Sequence, residues 1–228
     1  MSLLAHIIDS RHPGGVLGPP ALNIGLLSYY DSDGTDRKGS NNLTPINAPS
    51  TGVGKISGTC MDLEDTSAQS FTLADASAGD FEPNQTLSYA CWFRVETLTS
   101  FGALWSKGSS NQSRTYYQVD GAIITNWGGG VTLQSPPATL VNGVWNHIYV
   151  NWNASSNTLT RSINGQAMTS ITGGAASSNT ADFFLGSQGA FFPFDGLIDQ
   201  FCVWNRELNA AERADLWNSG AGVDFLTP

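Results

Sequence analysis

Basic residues are scarce in this sequence: 10 Lys and Arg stand against 19 Asp and Glu, a net charge of −9. A nucleic-acid surface needs a basic stripe to release counterions from phosphates, so that class of partner is excluded. Cysteine is scarcer still. Cys60, Cys91 and Cys202 are odd in number and widely spaced, which fits neither a disulfide framework nor a zinc site and suits small apolar strand residues. No window approaches the roughly 18 apolar residues of a membrane span. The first residues are apolar but lack a positive leading region and reach Asp9 and Arg11 early, so no signal peptide is expected. Catalytic signatures are also missing. No Gly-x-Ser-x-Gly elbow is present. The nearest carboxylate cluster, Asp62 to Asp65, is a poor candidate for catalysis, and His147 is expected to be a structural sheet residue.

What the sequence does contain is Gly, Ser, Thr, Asn and aromatics, with only 13% charged residues. That composition suits sheets and turns. The 228 residues suffice for one large all-β domain with a substantial core. Residues 1–20 stand apart, ending in a Pro/Gly-rich run that can hold neither ladder nor helix, and are expected to form an extended arm or linker. Residues 21–228 are expected to form the domain.

Strands are predicted at Ile24–Tyr30, Thr59–Leu63, Ser70–Leu73, Thr86–Val95, Ala103–Lys107, Tyr116–Asp120, Trp145–Trp152, Thr158–Ile163, Ala181–Gly186 and Gly196–Trp204. In the strand at 86–95, Leu87, Tyr89, Cys91 and Phe93 share one face, and Ala90, Trp92 and Arg94 the other. In the last strand, strict alternation puts Leu197, Asp199, Phe201 and Val203 together. Asn164-Gly165 is a hairpin signal, since a type I′ turn needs positive φ at both positions. Asn209 and Glu212 form a capping box for one short helix, Ala210–Trp217, with Gly220 as its terminator.

The order of these segments resembles a known family. The carriers are Tyr89-Ala-Cys-Trp-Phe-Arg94, Leu104-Trp-Ser-Lys-Gly108, Gly143-Val-Trp-Asn-His-Ile-Tyr-Val150, Leu159-Thr-Arg-Ser-Ile-Asn-Gly165, Phe184-Leu-Gly186 and the closing Gly196 to Glu212. In that order they resemble the laminin G-like domain of the concanavalin A-like lectin/glucanase superfamily, over residues 22–220. The resemblance implies an all-β, two-sheet antiparallel jelly-roll sandwich with one short C-terminal helix. Glucanases of the superfamily carry a Glu-x-Asp-x-x-Glu strand holding two carboxylates roughly 5–5.5 Å apart. This sequence has no such strand, so no enzyme is expected.

Two kinds of site remain as candidates. The superfamily often holds Ca²⁺ at the sandwich edge; Asp199 is the family-position ligand, and Asp31, Asp33 and Asp36 form an Asp-rich loop of the type calcium favours. For a ligand such as a sugar, Asn126 and Trp127 lie in a segment running into glycines that could expose the indole, and Phe191, Phe192 and Phe194 form an aromatic loop. The expected function is a non-catalytic structural or binding protein of a bacteriophage virion surface. It would be homo-oligomeric, made in the host cytoplasm and docked on other virion proteins through its arm or sandwich surface. The alternative is a glycan-binding, lectin-like module of an extracellular system, and a glycoside hydrolase is the weakest option.

Overall fold

The computed structural model describes residues 21–75, 78–108, 113–128 and 130–224. The expected arm, residues 1–20, lies outside them. Two antiparallel sheets stack into a sandwich. The larger runs in the order β13 (Thr169–Thr172), β12 (Thr158–Ile163), β11 (Trp145–Asn153), β6 (Leu87–Val95), β15 (Gly196–Trp204), β4 (Thr59–Leu63) and β3 (Ser50–Val53), with β1 (Leu26–Tyr30) also pairing β15. The smaller runs β10 (Val131–Gln134), β9 (Ile123–Trp127), β8 (Ser113–Tyr117), β7 (Gly102–Lys107), β14 (Phe183–Leu185), β5 (Ser70–Leu73) and β2 (Thr44–Ile46).

The inner faces interlock through aromatic and branched side chains. Tyr89 stacks on Trp105 at 5.3 Å between ring centres, and Trp127 stacks on Trp152 at 5.9 Å. Tyr89, Cys91 and Phe93 of β6 point into this core, while Ala90 faces away. That is the alternation a central strand with two covered faces requires. Arg161 of β12 also enters the interior and donates to the carbonyl oxygens of Ile123 and Leu133 in the opposite sheet. Burial lowers its pKa to about 10.

The last strand departs from strict alternation. Its register shifts between Asp199 and Cys202, where Gln200 takes a φ of 53°. This bulge adds one residue, so Phe201 and Val203 join Ile198 in the core, and Cys202 and Trp204 face outward. The predicted common face of Leu197, Asp199, Phe201 and Val203 is therefore corrected. The same irregularity lets one edge of β15 serve two partners, pairing β4 at Gly196–Ile198 and β1 near its end.

The outer face of the larger sheet is closed by the chain itself. Helix α1 (Ala210–Trp217) begins with the expected capping box, Asn209 accepting from the Glu212 N–H and Glu212 accepting from the Asn209 N–H. It ends at Asn218 in the left-handed conformation, not at Gly220. Leu216 packs in a cluster with Trp204, Tyr149, Leu22 and Leu26. Trp204 Nε1 donates to the Leu22 carbonyl, and Arg206 ties the carbonyls of Ala21 and Ile24 to Glu212. Asn164 and Gly165 both have positive φ, as the turn signal implies, and a Cβ at Gly165 would sit 2.4 Å from the Trp217 ring. The short side chain thus lets the helix settle onto the β12–β13 turn.

Candidate functional site

Among the described residues, no α-helix covers the outer face of the smaller sheet. Strand register aligns one residue from each strand in a row: Thr44, Thr72, Phe184, Ser106, Arg114, Asn126 and Thr132. Their neighbours in sequence, among them Phe71, Leu185, Trp105 and Trp127, point into the core, so this row points outward. The segment from Gly186 to Phe194, which joins β14 to β15, lies along this face. It is anchored by Ser106 Oγ donating to the Ser187 carbonyl and by the Ala103 N–H donating to the Phe192 carbonyl.

Together the sheet and this segment build an aromatic platform. The rings of Tyr116 and Phe192 are nearly parallel, 9° apart with centres at 5.8 Å, and Phe101 packs 5.6 Å from Phe192. Phe192 is held at a φ of 51°, a left-handed conformation that a bulky residue adopts only when its surroundings enforce it. The enforced backbone places the ring on Tyr116. The Arg114 guanidinium lies 4.5 Å from the Tyr116 ring centre and 5.7 Å from that of Phe192. Asn126 Oδ1 accepts from Arg114 Nε at 2.9 Å, and Gln188 Oε1 accepts from Nη1 at 2.5 Å. Asn126 in turn donates to Thr132 Oγ1. Beside the platform runs a groove of about 240 Å³ lined by Gly108, Asp182, Phe184, Gln188 and Phe191. Phe191 stands 68% exposed at its rim. Flat apolar rings flanked by amide and guanidinium groups suit a ligand with one apolar face and a polar edge.

The structure divides the predicted ligand residues. Asn126, Phe191 and Phe192 come together on this face. Trp127 does not: it ends β9, is 0% exposed, and donates from Nε1 to the Pro83 carbonyl. Its expected exposure is corrected, because the residue alternates inward from Asn126 and the glycines begin only after it. Phe194 is also 0% exposed and packs edge-on against Tyr117. Arg114, Tyr116, Gln188 and Phe101 escaped the sequence analysis. The alternation of Ser113 to Tyr117 could have found the first two, but the strand was placed three residues too late.

The predicted calcium ligands do not fit a cation. Both oxygens of Asp31 accept from Arg37 Nε, and Asp33 accepts from Arg37 Nη2 and the Thr35 N–H. A guanidinium already pairs with both of these carboxylates. Asp36 organises the loop by accepting the N–H groups of Tyr29, Lys38, Gly39 and Asn41. Asp199 is 0% exposed, and its Oδ2 accepts from the N–H groups of Ile56 and Ser57, fixing the β3–β4 turn. Burial raises its pKa, which opposes the charged form a cation would need. Among the described residues, no three His, Cys, Asp or Glu side chains are grouped to hold a metal.

A second recess, about 320 Å³, lies under α1 and is lined by His147, Tyr149, Met168, Arg213 and Trp217. His147 packs against both Trp92 and Trp217, which stack on each other, and burial lowers its pKa to about 3. It is a neutral packing residue at ordinary pH, as expected.

Residues 65–212 match the laminin G-like model described as the Concanavalin A-like lectin/glucanases superfamily. The chain belongs to this family. No curated protein sequence matches it. Among solved structures it is similar to the binding domain of Paraclostridial Mosquitocidal Protein 1, with a TM-score of 0.68 and 17% identity. That match covers 87% of this chain and 53% of the other. Domain 4 of AbnA, a GH43 extracellular arabinanase from Geobacillus stearothermophilus solved with arabinotriose, gives a TM-score of 0.63 and 18% identity over 86% of this chain and 98% of that domain. The CBM40 of the Ruminococcus gnavus IT-sialidase bound to alpha2,3 sialyllactose gives 0.50 and 16% identity, covering 60% and 84% of the two chains. These likenesses establish the sandwich fold.

Proposed function

We propose that this chain is a carbohydrate-binding, lectin-like module whose ligand lies on the outer face of the smaller sheet. One observation carries this: the parallel Tyr116 and Phe192 rings, edged by Arg114, Asn126 and Gln188, lie on the sandwich face that, among the described residues, no α-helix covers. A sugar ring stacks its C–H face on such a platform and turns its hydroxyls to the amides. The similarity to structures solved with arabinotriose and with sialyllactose supports the assignment. The binding would be non-catalytic, because the outward row carries no pair of carboxylates: its members are Thr, Phe, Ser, Arg and Asn.

The virion-surface setting expected from the sequence rests in part on the arm at residues 1–20, outside the described residues. It is compatible with the same site, since a particle surface can present a lectin. A broad glycan array tests the module. Wild-type protein is expected to bind a subset of glycans, and Tyr116→Ala and Phe192→Ala are expected to lose that binding while keeping their circular dichroism spectra. An array left unbound by wild-type protein would count against the proposal, as would variants that bind like wild type.

A further inference from the structure

Arg114 differs from the ion-paired cations of the protein. Lys107 is matched by Asp75 and Glu82, Arg37 by Asp31 and Asp33, and Arg206 by Glu212. Arg161 has no carboxylate but is sealed between the sheets against oxygen acceptors. Arg114 is only 9% exposed, yet its partners are the amide oxygens of Asn126 and Gln188 and the Tyr116 hydroxyl, none of them a carboxylate. A guanidinium has five N–H donors. Asn126 takes the one on Nε, Gln188 one on Nη1 and Tyr116 another, which leaves two without a carboxylate or amide partner among the described residues. Gln188, which accepts from Nη1, also lines the groove.

We propose that this site selects saccharides bearing an oxyanion, with Arg114 as the residue that recognises it. This rests on the carbohydrate-binding assignment above. The guanidinium plane is fixed before any ligand arrives, by the rings of Tyr116 and Phe192 on its face and by two amides on its edge. The remaining N–H groups of this fork can donate to an oxyanion with little ordering left to do. A sulfate ester offers the same oxyanion chemistry. Burial lowers the pKa of Arg114, so an arriving anion would supply the compensation that the protein withholds. The acidic side chain in the groove, Asp182, is exposed at the rim and accepts the Asp75 N–H.

The net charge of −9 repels anions at long range, so added salt would weaken the contact and ease the approach together. Matched esters give a cleaner test. An array of neutral, uronate-, sialate- and sulfate-bearing oligosaccharides is probed with wild type, Arg114→Gln and Arg114→Lys, and any carboxylate-bearing hit is measured again as its methyl ester. The expected result is at least tenfold weaker binding of the ester, loss of acidic glycans in Arg114→Gln, and a smaller loss in Arg114→Lys. A preference confined to sulfated glycans would identify the oxyanion as a sulfate ester, again lost in Arg114→Gln. Neutral glycans bound equally by wild type and Arg114→Gln would overturn the charge selection and leave the lectin assignment standing. An array silent towards every class would overturn both. Should Arg114→Gln fail to fold, Arg114→Lys decides: unchanged binding of acidic glycans would reject the fork.

Discussion

The two outer faces of this sandwich are built from the same kinds of residue and put to different use. On the larger sheet, Trp204, Tyr149, Cys202 and Leu26 pack with Leu216 of α1 and with Leu22. On the smaller sheet, Tyr116, Phe192 and Phe101 stack only on one another, with polar groups around them. An aromatic under a helix contributes to stability by leaving water. An aromatic on an open face gives up that contribution and keeps a surface for a partner. The difference lies less in composition than in where the chain returns: α1 follows β15 directly onto its outer face, while the segment from Gly186 to Phe194 only edges the other.

Substitutions on the two faces should therefore separate stability from binding. The largest effect is expected at the closed face. Trp204→Ala removes a fully buried ring and should cost about 3–5 kcal/mol in denaturant unfolding. A loss below about 1 kcal/mol would mean that the helix does not seal this face.

Acid should open the same face. The folded-state pKa of His147, about 3, lies below its unfolded value near 6.5. The unfolded chain thus takes up the proton first, and stability is complete above about pH 6.5 and declines as pH falls toward 3. At pH 4.5, two units below the unfolded value, this single group should account for about 3 kcal/mol. His147→Gln should remove that part of the pH dependence, measured as the difference between the two unfolding curves.

Effects at the open face should be smaller in stability and larger in binding. Tyr116→Ala forfeits ring contacts worth about 1 kcal/mol, yet should abolish glycan capture. Asn209→Ala, a test of the cap that starts the covering helix, should lower stability by about 1 kcal/mol without changing binding. Smallest of all, adding Ca²⁺ or a chelator should leave the melting temperature unchanged, since Arg37 already pairs with Asp31 and Asp33. An upward shift with Ca²⁺ would contradict that assignment.

The sequence was most legible where burial imposes a regular pattern. Strands β4, β5, β12 and β15 begin and end where alternation places them, and the helix starts at its capping box. Edge strands were harder. Thr169–Thr172 is exposed along its length and Ser50–Val53 nearly so, and without a buried face there is no period to detect. β9 was hidden by the glycines that follow it, and this moved Trp127 from the core to a loop. The bulge at Gln200 reversed the second half of β15, because a single residue with positive φ leaves no mark in a hydrophobic pattern. The candidate site was legible only in pieces. Asn126 and Phe192 stood out as residue types, but Arg114 and Gln188 are joined through strand register and a crossing loop, across 74 positions of sequence.

The most direct test of the open face is a chemical-shift titration of the isotopically labelled protein with a bound oligosaccharide. Perturbations should concentrate on the side-chain amides of Asn126 and Gln188 and on the rings of Tyr116 and Phe192. Shifts clustered instead around Met168, Arg213 and Trp217, in the recess under α1, would contradict the assignment of the binding face.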